Sequence, residues 1–402
     1  MSLQGKAVIG QSGGPTAVIN QTLVGAALEA RKYPHITAVY GALHGIRGIL
    51  REDFIDLGAE TEDTLETVAG TPSAGLGSVR QKPTGDDCRK MVEVFRAHEI
   101  RYLFYVGGND SAETADIVDR LAREVSYELR VCHLPKTVDN DLRVTDHCPG
   151  YGSAARFVAL ALQGDNLDNR ALGGVKIDVI MGRHSGFLTA ASALGRREED
   201  DGPHLIYVPE VAFDLDRFSS DVERTMARFG RCVVVVSEGI AYADGSPVST
   251  SGERDPHGNV QLSGSGALGD LLAATVREKL GVSRVRADTF GYLQRSFPGV
   301  VSEVDAREAR EVGVYGVRQL AGDVAESGSV AIRRTSQGGS YSSEMFLTEL
   351  SRVAGETRPL DREFVAESGT DITSAFVDYA LPLTGDLPPV GRLGARKVPP
   401  RR

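Results

Sequence analysis

Short apolar runs recur along the chain and are separated by longer mixed stretches. Ala7-Val-Ile9, Arg101-Tyr-Leu-Phe-Tyr-Val106, Arg130-Val-Cys-His-Leu134 and the run from Val233 to Val236 each have the character of a buried strand. An Ala- and Leu-rich segment beyond Asn20 has the character of a helix, and the repeated strand-helix alternation predicts an α/β protein. At 402 residues the chain is long enough for two substantial cores. Between the periodic segments, Glu198-Glu-Asp-Asp-Gly202 is expected to be a solvated connection. The stretch from Ala241 through Gly266 is expected to be an exposed, mobile excursion, and the Pro- and Arg-rich end, Leu393 to Arg402, to be frayed.

The chemistry concentrates where the apolar runs stop. Pro135-Lys-Thr-Val-Asp-Asn-Asp141 places a lysine and two carboxylates directly after the Arg130–Leu134 strand, at the end where an open parallel sheet forms its ligand crevice. Asp139 can take a proton from a hydroxyl nucleophile, Asp141 can orient that nucleophile or help hold a metal, and Lys136 can neutralise a phosphate as a compact charge. Gly10-Gln-Ser-Gly-Gly-Pro-Thr16 follows the first strand, and Gly13 and Gly14 would let the backbone approach an anion, with amide donors from the helix that follows. A second glycine turn, Val106-Gly-Gly-Asn-Asp-Ser111, ends another strand, so two loops of one type suggest one shared anion. The first of them has neither the P-loop nor the dinucleotide pattern. Gly75-Leu-Gly-Ser-Val-Arg80-Gln-Lys82 adds two cations on a third glycine-rich loop, suited to transferring phosphoryl oxygens.

Together with Met181-Gly-Arg183-His-Ser-Gly186, Ser237-Glu-Gly239, Arg286 and Phe290-Gly-Tyr-Leu-Gln-Arg295, these segments resemble the phosphofructokinase family, in the family's order through most of residues 6 to 310. The resemblance implies a two-lobed α/β fold with mainly parallel sheets flanked by helices. It implies a phosphoryl-donor lobe of residues 1–150 plus about 295–345, and a sugar-phosphate lobe of residues 151–294 plus about 346–402. By position it implies that Asp139 is the base for the sugar's primary hydroxyl with Thr137 and Asp141 beside it, and that Arg80 bridges the transferring group. Gly13, Gly14, Gly108, Asp110, Lys136 and Lys82 would meet the donor. Met181, Gly182, Arg183, Glu238, Tyr292 and Arg295 would form the sugar-phosphate pocket, Tyr292 standing where many relatives have His. Arg286 matches an arginine that reaches the sugar's phosphate from a neighbouring subunit, which implies a homodimer or homotetramer with shared active sites. At the second intersubunit arginine this chain has Gly174, with Lys176 two residues later as a possible substitute.

The donor turns on two positions. Nucleotide-dependent relatives have Gly-Gly-Asp-Gly where this chain has Gly107-Gly-Asn-Asp110, and Pro-Gly-Thr where it has Pro135-Lys-Thr137. Asp110 would obstruct and repel a nucleotide's α-phosphate, and Lys136 supplies a cation for a small donor without an adenine. The pair resembles the pyrophosphate-dependent branch, which implies reversible transfer from pyrophosphate to the 1-hydroxyl of fructose 6-phosphate, in glycolysis or gluconeogenesis. ATP-dependent phosphofructokinase and a noncatalytic sugar-phosphate sensor are the alternatives. Magnesium is implied as the cofactor; Asn109 replaces a metal-associated aspartate, leaving Asn109 itself, Asp110, Asp139, Asp141 and the donor's oxygens as candidates to hold it. Where regulated bacterial relatives have effector-site arginines, this chain has Val24 and Leu28, which implies little response to ADP or phosphoenolpyruvate.

Net charge and cysteine usage narrow the partners. A charge of −10 and a pI near 5.4 argue against a nonspecific nucleic-acid surface, which needs clustered cations. Cys88, Cys132, Cys148 and Cys232 lack zinc-type spacing and are expected to be free thiols in a reducing cytosol. No signal segment precedes the first strand and no apolar run approaches about twenty residues, so a cytoplasmic location is expected rather than secretion or membrane spanning.

Overall fold

The computed structural model describes residues 3–249, 266–322, 326–336, 341–395 and 398–400. Among these the strands are β1 (Gly5–Gln11), β2 (Ile36–Ala42), β3 (Phe54–Asp56), β4 (Ile100–Gly107), β5 (Arg130–Pro135), β6 (Gly174–Ile180), β7 (Leu205–Tyr207), β8 (Arg231–Ser237), β9 (Val285–Thr289), β10 (Gly328–Arg334) and β11 (Ser343–Thr348). Every apolar run singled out in the sequence lies inside one of them. They form a seven-stranded sheet in the order β11-β10-β5-β4-β1-β2-β3 and a four-stranded sheet in the order β7-β8-β6-β9. The small sheet is wholly parallel, and the large one is parallel except at its two edges, β3 and β11. Central strands of such sheets are covered on both faces, which is why β5 and β8 are buried at every position. The chain leaves β1 toward β2 on one side and returns through β4 on the other. That reversal opens a crevice at the carboxyl ends of β1 and β4, where both glycine loops begin.

The chain passes between the sheets more than once. After β9 it forms the long helix Glu303–Ala321, then adds β10 and β11 to the first sheet, with β11 continuing past residue 345 to Thr348. The C-terminal helix Ser374–Thr384 packs its Phe376, Ala380 and Leu383 into a core shared with Tyr151, Ala155 and Phe187 of the second body. Val24 is fully buried and Leu28 packs on the same core, so both positions are spent on packing.

Two connections differ from expectation. Asp201 is buried and accepts from Asn166 Nδ2 at 2.8 Å, the Arg197 backbone at 3.0 Å and Arg392 at 2.5 Å, while Asp200 pairs with Arg170. The acidic loop is thus a hub that fastens Arg392, and only beyond it does the tail become open, with Leu393 and Val398 exposed. The excursion beginning at Ala241 folds back at once, since Ala241 bridges Pro247 and Val248 is buried in the second core; residues 250–265 lie outside the described residues. All four cysteines are free, as expected, and all four are buried.

One buried network joins the loop after β5 to the Glu303–Ala321 helix. His147 lies between Asp146 at 2.8 Å and Glu308 at 2.6 Å, and Glu308 also accepts from Tyr341 and Ser343. Burial opposes the imidazolium, but the hydrogen bonds and charges of the two carboxylates prevail and push His147 up to about 9. Unfolded, it would titrate near 6.5, so its contribution is complete below about pH 6.5 and lost as pH rises through about 9. We expect stability to fall by on the order of 2–3 kcal/mol across that window. Urea unfolding as a function of pH should show the slope in the native chain and a flatter profile in His147→Gln; equal slopes would remove His147 as its source.

Candidate active site

The carboxyl ends of β1, β4, β5 and β6 deliver their loops to one cleft of about 700 Å³. Its walls include Gly13 and Gly14 after β1, Arg80 and Lys82, Gly108, Asn109 and Asp110 after β4, Lys136, Thr137, Asp139 and Asp141 after β5, and Arg183 after β6. All the residues assigned to catalysis from the sequence, and all those assigned to the donor, therefore line a single space.

The two glycine loops are built differently. Gly108 is the N-cap of the helix Asn109–Glu124, so that helix does present its amino end to the cleft, with Asp110 in its first turn. The loop after β1 does not: its helix starts only at Ile19, and Gly13 and Gly14 belong to an intervening turn. Gly13 has φ +76°, and its carbonyl and amide are tied to Ser78 at 2.6 Å and Val79 at 3.0 Å. A Cβ at Gly13 would lie 3.1 Å from Lys136 Nζ, and one at Gly14 would lie 3.1 Å from the Arg295 guanidinium. The glycines there make room for two cations.

Lys136 is buried and donates to Gly14 O at 2.7 Å. Burial first, then the nearby Arg295 and Arg80, lower its pKa to about 7 despite the opposing carboxylates. Burial pushes the Asp139 carboxyl up against the pull of Arg295, Lys136, Arg80 and Arg183, and its Oδ1 is buried without a hydrogen-bond partner. Burial and the Asp139 charge push Asp141 up to about 7. Thr137 ties the segment together: its hydroxyl donates to Asp141 Oδ1 at 3.2 Å and accepts from the Asp139 amide at 3.1 Å. The arrangement can exchange a proton near neutrality beside converging cations, as in-line phosphoryl transfer to a hydroxyl requires.

Asn109 donates weakly to Asp141 Oδ2, at 3.4 Å, while its own Oδ1 is buried and unpartnered. That oxygen, Asp110 and the Asp141 carboxylate are a hard, oxygen-rich set facing phosphate space, which fits a magnesium ion that keeps much of its water. Among the described residues the tight cluster of three carboxylates is elsewhere, at Asp165, Asp178 and Asp288.

The remaining assigned residues divide. Met181 is buried in the core that holds Tyr151 and Phe187, Gly182 takes φ +143° with its carbonyl held by Ser237 Oγ at 2.5 Å, and Glu238 N bonds Ile180 O at 2.8 Å. Arg295 stacks on Tyr292 at 4.6 Å and feels the charges of Arg80, Asp139 and Glu238, so it joins this group to the cleft. Lys82 reaches the rim as half of an ion pair with Glu113 at 2.7 Å. Arg286 is not in the cleft; it is exposed on β9 and lines a separate hollow of about 280 Å³ with Lys176, Arg284 and Asp288. Lys176 pairs there with Asp165 at 3.2 Å, Asp178 at 3.4 Å and Asp288. His184 and Thr357 also line the cleft without having been assigned a role; His184 stood inside a recognised motif, whereas nothing around Thr357 marked it.

The phosphofructokinase family model matches residues 6–320. The chain belongs to the phosphofructokinase family. Within it, the chain is 56% identical over 400 residues to the pyrophosphate--fructose 6-phosphate 1-phosphotransferase of Rhodospirillum rubrum, covering 98% of each chain. It is 39% identical over 391 residues to the protein of that name from Methylococcus capsulatus, covering 94% of this chain and 92% of that one. Among solved phosphofructokinases, the pyrophosphate-dependent protein from Nitrosospira multiformis superposes with a TM-score of 0.85 at 33% identity, covering 97% of this chain and 95% of its own.

Proposed function

We propose that this phosphofructokinase catalyses reversible phosphoryl transfer from pyrophosphate to the 1-hydroxyl of fructose 6-phosphate, giving fructose 1,6-bisphosphate and orthophosphate. The observation that carries the donor assignment is Lys136, a buried ammonium 2.7 Å from Gly14 O, facing the same cleft as the exposed Asp110 carboxylate. A lysine there compensates a compact anion, and the carboxylate disfavours a nucleotide's further phosphate. Relatives named for this reaction match nearly the whole chain. An ATP-dependent enzyme would leave both side chains without a role, and a noncatalytic sensor would leave unexplained the orphaned Asp139 Oδ1 among four cations.

In this reading the large sheet, from residues 1–150 and about 295–345, forms the donor lobe. The small sheet, with the C-terminal segment, forms the sugar-phosphate lobe. Asp139 Oδ1 accepts the proton of the 1-hydroxyl as that oxygen attacks phosphorus. Arg80 and Lys136 stabilise charge on the transferring group, Gly108 supplies close backbone contact while Gly13 and Gly14 leave room for Lys136 and Arg295, and Asp141 with Thr137 holds the base in place. Met181, Gly182, Arg183, Glu238, Tyr292 and Arg295 seat the sugar phosphate. Magnesium, when bound, neutralises pyrophosphate oxygens; Asn109 Oδ1 and Asp110 are the groups that would hold it, with Asp141 behind them. Arg286, outside the cleft and exposed, reaches the 6-phosphate of a neighbouring chain, so the active form is a homodimer or homotetramer. Four buried thiols without a disulfide suit a cytoplasmic enzyme, and no helix among the described residues is long and apolar enough to cross a membrane.

Reversibility provides the test. Supplied with fructose 1,6-bisphosphate, orthophosphate and magnesium, the purified chain should release pyrophosphate and fructose 6-phosphate at a rate comparable to the forward one. Absence of pyrophosphate formation, with forward turnover on ATP, would establish the ATP-dependent reading instead.

A further inference from the structure

The loop that carries Asp139 and Asp141 is held by residues far away in the chain. Asn140, between the two carboxylates, has φ +58°, a conformation that Asn tolerates better than most side chains but that needs support. The support is its own amide: Nδ2 donates to Tyr379 Oη at 2.8 Å, and Oδ1 accepts from the Cys148 amide at 2.9 Å. The Tyr379 hydroxyl in turn donates to Asp146 O at 2.8 Å, so one phenol bridges both ends of the loop. Its ring is fixed by Phe364, stacked at 5.2 Å, and by Arg334 at 4.8 Å. A second grip comes from Arg358, whose amide donates to Asp141 O at 2.7 Å and whose guanidinium donates to Thr145 O at 3.2 Å and Asp146 O at 2.8 Å. Thr357, which lines the cleft, forms a β-bridge with Leu142.

Thr357, Arg358 and Tyr379 all lie beyond residue 320, where the family match ends. We infer that the C-terminal segment is a clasp on the catalytic loop, in which Tyr379, acting through Asn140, and Arg358 are positioning residues that fix the Asp139 and Asp141 carboxylates for transfer. Rotation at Asn140 would swing both carboxylates, and the Tyr379 bond opposes that rotation without adding charge beside them. A base displaced by about 1 Å can lose about a hundredfold in rate, so the clasp acts on turnover more than on binding.

This inference rests on the proposed reaction, whose failure would show in the unsubstituted enzyme alone; the clasp would then be tested with whichever donor that enzyme uses. Tyr379→Phe keeps the ring stack and removes only the hydroxyl. We expect kcat to fall roughly ten- to a hundredfold, with KM for fructose 6-phosphate and Tm nearly unchanged. Because Tyr379 acts through the base, the same substitution in an Asp139→Asn background, followed at high enzyme concentration, should cause no comparable further loss. If the phenylalanine variant does not fold, Asn140→Gly, which accepts the same backbone conformation without the side-chain bonds, should show the same kcat loss. Native kcat in the folded variant, or a full multiplicative loss in the Asp139→Asn background, would overturn the inference.

Discussion

Asp139→Asn is expected to lower kcat by about 10²–10⁴ while leaving fructose 6-phosphate binding within a few-fold of native. The substitution preserves shape and removes the capacity to take a proton at a cleft carboxylate oxygen that is buried and unpartnered. It also removes the anion that Arg295, Lys136, Arg80 and Arg183 surround. The loss has a pH signature. The Asp139 charge helps to raise Asp141 to about 7, so in the variant the Asp141 pKa should fall toward the ordinary carboxylate range. Lys136 loses an anion that favours its charged form, so its pKa should fall further below about 7. The acid limb of the residual pH–rate profile should therefore move to lower pH. Steady-state kinetics and calorimetric titration of the sugar phosphate would check both points, and near-native turnover would move the base to another residue.

How much of this was legible in the sequence depended on the range of the interactions. Apolar runs marked the strands because burial on both faces of a parallel sheet leaves a local trace, as β5 and β8 illustrate. The polar ends of those runs marked the cleft, because strand ends on one side of a sheet share a crevice, and the loop holding Lys136, Asp139 and Asp141 was found in that way. Contacts between distant segments left no such trace. Nothing near Asn140 indicates that its amide meets Tyr379, 239 residues away, and nothing in Glu198–Gly202 indicates that it would fasten Arg392. The Gly13 turn was misjudged because a glycine-rich segment ahead of a helix looks the same whether the glycines cap the helix or precede it. The neighbouring Lys136 and Arg295, which explain those glycines, come from other strands.

The other large effect concerns the donor. Asp110 stands exposed in the first turn of the Asn109–Glu124 helix, where a carboxylate is favoured by the helix amides, and in the proposed reading it takes the space and charge that a nucleotide's α-phosphate would need. Lys136→Gly removes the ammonium that pins Gly14 O at 2.7 Å and faces the donor, and should reduce kcat/KM for pyrophosphate about 10²–10³-fold. Asp110→Gly alone should relieve the repulsion and raise ATP use modestly, since no adenine pocket is thereby built. In the double variant the ratio of ATP to pyrophosphate use should rise at least about a hundredfold. The two changes should be non-additive because both act on the same donor phosphates.

The most direct measurement is kcat/KM for pyrophosphate and for ATP, at saturating fructose 6-phosphate and magnesium, in the native chain and in the Asp110→Gly, Lys136→Gly and double variants. Strong preference for pyrophosphate in the native chain, collapsing in the double variant, is the predicted result. A native chain that uses ATP as well as pyrophosphate, or a donor ratio unchanged across all four proteins, would contradict the assignment of donor choice to Asp110 and Lys136.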